Sequence, residues 1–287
     1  MHQGFEILSF AFCYAIAFIL ELIRARVKET RRISIASFFC LALGATLHGA
    51  VLFSRDLLQN SHFFASAESW FLVLAFALVL TQIYLAFAYP RTRFALFFLP
   101  LVFALLVVAH NADSTNFTPR AACRVVRATH AISLLLATLA SLFGASVGVM
   151  FFRQRRRLKQ KTAFQTHSLP TLEWLGAASY FATNATIVAL GVGVASGFYL
   201  KLFAQSEAER AARLDPVACG AAILLACALA ARIRAKLLSA TKSAALNAAQ
   251  NIFCCLALVA LLFFAAFSSS SHWKTMTDPP NAVSANR

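Results

Sequence analysis

The chain has 287 residues, 60% of them hydrophobic and only 13% charged, with a mean hydropathy of +0.71. That balance lies outside the soluble range and points to a polytopic membrane protein. The net charge of +15 sits in short stretches between apolar runs, where cations set topology, and nothing in the sequence points to nucleic acid.

Taken in order, the first apolar run is GFEILSFAFCYAIAFILELI, residues 4 to 23. Its cations follow it and it has no small-residue cleavage site, so it is expected to be retained with its N-terminus outside. Arg24, Arg26, Lys28, Arg31 and Arg32 form a first inner loop, and residues 33 to 53 return outward carrying His48 in their outer half. An outer loop with His62 leads to a third span at 69 to 89, then a tight inner turn with Arg91 and Arg93. The fourth span, 94 to 110, is short and is expected to kink at Pro100.

An outer loop with Arg120, Arg124 and Arg127 precedes a fifth span from His130 to Phe152, about 34 Å long at 1.5 Å per residue. It ends in Arg153, Arg155, Arg156, Arg157, Lys159 and Lys161, a cluster that marks the cytoplasmic end. After HSLPTLEW a helix is expected to start at Thr171, behind Pro170, and to carry a sixth span over 175 to 200. The seventh, from Asp215 and Pro216 to about Ala231, has an N-cap and a first-turn proline. An eighth covers 245 to 267, and residues 268 to 287 read as a disordered tail. The expectation is an all-α membrane bundle of about eight transmembrane helices over 1–267, with both termini outside. Most of the 26 lysines and arginines then fall on the inner side.

In this topology His48, His62, His110 and His130 lie at or near the outer face. For His62 and His110 a wet boundary explains the placement. An ionisable ring inside an apolar span suggests function, and imidazole is a common metal and heme ligand, so His48 and His130 are either ligands or satisfied polar residues. Arg120, Arg124 and Arg127 precede His130 and either pair with an anionic cofactor or face headgroups and water. Glu173 and Asn184 either line a path or are a solvated carboxylate and an interhelical hydrogen bonder. The seven cysteines show no CxxC spacing, and most act as small hydrophobes, although Cys123 and Cys219 both fall near the outer face. GVGVASG at 191 to 197 lies in an apolar run and is no phosphate loop; Gly193 with Gly197, and Gly144 with Gly148, fit close helix contacts. No pairing of nucleophile and base is apparent, and no enzyme is expected.

Two segments resemble the cytochrome c assembly membrane proteins, the CcsA, HemX and YpjD-like group. In LGATLHGAVLFSRDLLQNSHFFASAESWFLVL, residues 43 to 74, His48, Glu68, Ser69 and Trp70 match a transmembrane histidine, an outer Glu-Ser pair and an aromatic span. In residues 129 to 175, His130, Leu169, Pro170, Leu172 and Glu173 match the histidine-led span, basic exit and Leu-Pro-x-Leu-Glu segment. The resemblance implies heme handled on the outer side of the cell membrane, with His48 and His130 as iron ligands. It implies apocytochrome c or other assembly proteins as partners besides the lipid bilayer. Two features depart from the family. The tryptophan-rich outer motif is absent, the only tryptophans being Trp70, Trp174 and Trp273, and Asp215-Pro216 stands where a His-Lys pair often opens the penultimate span. The alternative is a cofactor-free scaffold or small-molecule transporter with the same fold.

Overall fold

The computed structural model describes residues 2–27, 31–59, 66–90, 92–112, 124–160, 169–202 and 216–267. Among them are eight helices and no strand: α1 (His2–Arg24), α2 (Arg31–Gln59), α3 (Ala67–Ala88), α4 (Ala95–Asn111), α5 (Arg124–Lys159), α6 (Leu172–Leu202), α7 (Pro216–Lys236) and α8 (Ala240–Phe267). Seven are long and apolar enough to cross a membrane, and α4 is the shorter apolar helix between them. The protein is therefore a polytopic helical bundle, as expected. His62, Arg120, Cys123, Asp215 and the tail fall outside the described residues.

The helices overrun the expected spans. α2 continues to Gln59 and α5 runs from Arg124 to Lys159, because leaving the hydrocarbon ends the need for apolar side chains without ending a hydrogen-bonded helix. Local signals fix some starts. Ser66 caps α3, its Oγ accepting from the Ser69 N–H at 3.1 Å, and Thr171 Oγ1 accepts from the Trp174 N–H at 3.3 Å, placing the start of α6 where Pro170-Thr171 predicts it. α4 is a single helix through Pro100, whose side faces outward.

Packing divides the bundle into two groups. α1 lies on α2, α2 on α3, α3 on α4 and α4 back on α1, closing a ring of four. α5 packs on α6 and α8, and α7 covers α6 and α8. α3 and α4 touch α5, and one apolar core runs across the join, from Phe10, Leu78 and Phe98 to Leu142, Met150 and Leu175. Exposed Phe12, Phe87, Phe181 and Ile223 face outward, as a lipid solvent allows.

Lipid tails are as apolar as the side chains, so small residues and polar ties hold the second group together. A Cβ on Gly148 would lie 2.7 Å from the Ala248 carbonyl oxygen, so α5 and α8 touch backbone to backbone at this point. Buried Asn251 donates from Nδ2 to the Ser179 carbonyl at 2.9 Å and accepts from Thr183 Oγ1 at 3.1 Å. Asn184 accepts from Arg232 Nε at 2.8 Å, and that guanidinium also covers the Tyr180 ring, so Asn184 ties α6 to α7.

Candidate functional site

His130 sits in the N-terminal stretch of α5, away from the arginine cluster, and leans on α6. Its Nδ1–H donates to the Gly193 carbonyl at 2.8 Å and lies 3.3 Å from Ser196 Oγ. The carbonyl can only accept, so the proton is on Nδ1 and Nε2 is the lone-pair nitrogen in the neutral ring. The ring rests over Gly197, where a Cβ would come within 2.9 Å of Cε1. A glycine is required there for α5 and α6 to approach with an imidazole between them. His130 is half-buried, and next to its seat Phe198 and Tyr199 are about half exposed, an aromatic surface near the C-terminal end of α6.

Arg127 is one turn before His130 on α5 and is half-buried; Arg124 opens the helix, its side chain outside the described residues. His110 is exposed at the last turn of α4, in keeping with a wet boundary.

His48 has different surroundings. It is fully enclosed, its ring stacked on Phe10 with centroids 4.1 Å apart and planes 3° apart, and Phe76 meets it edge-on at 5.3 Å. Nδ1 is hydrogen-bonded to the Tyr14 hydroxyl at 3.2 Å. These neighbours come from α1 and α3, whereas those of His130 come from α6, so the two rings belong to different helix groups. Glu68, matched to the Glu-Ser pair, is buried in the first turn of α3.

The Leu-Pro-x-Leu-Glu-Trp segment acts at the opposite, cation-rich end. Leu175 is fully buried, Trp174 Nε1 donates to the Tyr89 hydroxyl at 3.0 Å, and the indole packs against the Tyr89 and Phe94 rings. Glu173 is exposed. The segment docks the start of α6 on the α3–α4 turn.

Among the described residues no group of three or more His, Cys, Asp or Glu side chains gathers as a metal site. A heme iron takes most of its ligands from the porphyrin, and His130, with one nitrogen anchored, would suit as a protein ligand to it. Enclosed His48 does not fit as its partner on the same iron.

Sequence reasoning missed Tyr14 and a second polar cluster. Arg24, counted as a loop cation, ends α1 buried, its Nη1 donating to both oxygens of buried Glu21 at 3.1 and 3.3 Å and its Nη2 to the Pro90 carbonyl at 2.6 Å. The available signal was Glu21 itself, a carboxylate inside an apolar run, three residues before an arginine. The chain matches no protein-family model, no curated protein and no solved structure.

Proposed function

We propose that this is a heme-handling protein of the cytochrome c biogenesis type in the cell membrane, with His130 offering Nε2 to heme iron at the outer face. The observation that supports this reading is the Nδ1–H bond to Gly193 over the Gly197 seat. A backbone acceptor holds the ring in one tautomer and one orientation, the arrangement that raises the ligand strength of the other nitrogen. When bound, heme would supply the iron and its redox chemistry. Arg127, a turn away, would pair with a propionate, Arg124 would extend that role, and Phe198 and Tyr199 would offer an apolar rest. The outer loops would present the group to apocytochrome c or to other assembly membrane proteins.

The enclosure of His48 by Phe10, Tyr14 and Phe76 favours a second reading, a cofactor-free scaffold or small-molecule transporter in which that histidine only ties α1 to α2. Titrating the detergent-purified chain with hemin separates the two. The first reading expects a Soret band whose apparent affinity falls at least about tenfold in His130→Ala, the loss of one imidazole ligand. Gly197→Leu, which fills the ring's seat, should act in the same direction. A protein that stays colourless at saturating hemin, or a band indifferent to His130→Ala, overturns it.

A further inference from the structure

At the cation-rich end a cavity of about 320 Å³ lies among α1, α2, α3 and α4, within the range of small-ligand pockets. Its polar wall is the Glu21–Arg24 pair and Gln82 of α3. Gln82 is only 2% exposed, and among the described residues neither its Oε1 nor the buried Arg24 Nε–H has a hydrogen-bond partner. Two residues that line one space thus carry an orphaned acceptor and an orphaned donor, each costly to leave unmet.

Apart from the hydroxyls of Ser34, Ser37 and Thr92 the rest of the lining is apolar, and its rim is open. Phe39 of α2 is 66% exposed and Phe87 of α3 is 78% exposed, so the cavity gives sideways onto the surface that lipid covers. Gln82 is six residues from the end of α3, about 9 Å in from that end, which is headgroup-to-upper-chain depth in the inner leaflet. A further cation stands next to the lining residue Thr92. Arg93, in the α3–α4 turn, is held below the ordinary guanidinium value by burial and by Arg24, against the pull of Glu21, with Arg157 adding to the repulsion. Among the charges that act on Arg93, guanidiniums therefore outnumber carboxylates.

We infer that this cavity is a lateral binding site for an inner-leaflet anionic lipid whose head carries a hydroxyl, of the phosphatidylglycerol kind. The hydroxyl donates to Gln82 Oε1, a head oxygen accepts from Arg24 Nε–H, the phosphate answers the excess of arginine, and the chains leave between Phe39 and Phe87. Water would satisfy Gln82 and Arg24 but would not select head-group charge. The inference is independent of heme binding.

Native mass spectrometry of the full chain with added phosphatidylglycerol, phosphatidylcholine or a trimethylammonium lipid tests it. Phosphatidylglycerol should be retained several-fold over phosphatidylcholine, and the cationic lipid least. Gln82→Leu should weaken phosphatidylglycerol retention about five- to tenfold, one hydrogen bond in a dry site, while the melting temperature in lipid-free detergent stays equal or rises, because a partnerless buried acceptor has gone. Ala86→Trp, which blocks the cavity and spares Gln82, should weaken it as well, and His130→Ala should not. Equal retention of all three lipids, or retention unchanged in both Gln82→Leu and Ala86→Trp, overturns the proposal.

Discussion

Tyr14 and Gly193 decide what the two prominent histidines can do. A hydroxyl and two aromatic rings surround His48, so its first contribution is to stability. Tyr14→Phe removes the hydroxyl and leaves a buried ring nitrogen without that bond, which should lower unfolding free energy by about 1–3 kcal/mol in a detergent melt. The same change should leave any hemin spectrum alone; a lost Soret band would place His48 at the iron after all. Hydropathy made both histidines visible because it reports depth along the bilayer normal. It does not report the angle at which a side chain leaves its helix, and that angle decides the neighbours. Even the depths differ: His48 is 16 residues beyond Arg32, about 24 Å, and His130 is 23 before Arg153, about 34 Å. Arg24 was hidden for a related reason, since a cation at a span's edge looks like a loop residue until its partner, the Pro90 carbonyl, is brought in from a distant turn.

At the scale of helices, the glycines predict their own ranking. A methyl on Gly148 meets the Ala248 carbonyl, which is backbone and cannot turn aside. On Gly193 it meets Cδ2 of Leu134 at 2.7 Å, the mobile end of a side chain. On Gly191 it meets nothing within 4 Å among the described residues. Gly148→Ala should therefore destabilise by more than about 1 kcal/mol, Gly193→Ala by less, and Gly191→Ala should be neutral or stabilising by up to about 1 kcal/mol. Melts of the three variants check the order, and an equal loss in all three would mean that helix propensity rather than contact sets the cost. The spacing of small residues announced these contacts, and all eight helices were legible as apolar runs. The overrun of α2 and α5 was not, because the signal used was burial in lipid and a helix needs no lipid to continue.

Across the whole molecule, the two helix groups meet through the core beside α5 and through one aromatic clasp. Trp174, Tyr89 and Phe94 bring the start of α6 to the α3–α4 turn, and Arg153 at the end of α5 covers the Phe97 ring of α4 at 5.9 Å. If the clasp couples the groups, Trp174→Phe and Tyr89→Phe should each destabilise, and the double variant should cost less than their sum by about 0.5–1 kcal/mol. Additive losses in a double-mutant cycle would show that the indole and phenol act separately. Sequence could propose the Leu-Pro-x-Leu-Glu-Trp segment as special, but what Trp174 grips lies 85 residues earlier in the chain.

The brevity of α4 has an effect outside the protein. Its 17 residues rise about 25 Å, a few ångströms less than an ordinary hydrocarbon core, while its neighbours α1 and α3 are longer. A membrane in contact with it must pinch or let polar groups sink inward at that flank. Vesicles of short-acyl lipids would relieve that mismatch, so bilayer thickness itself becomes a variable to which the first four helices respond.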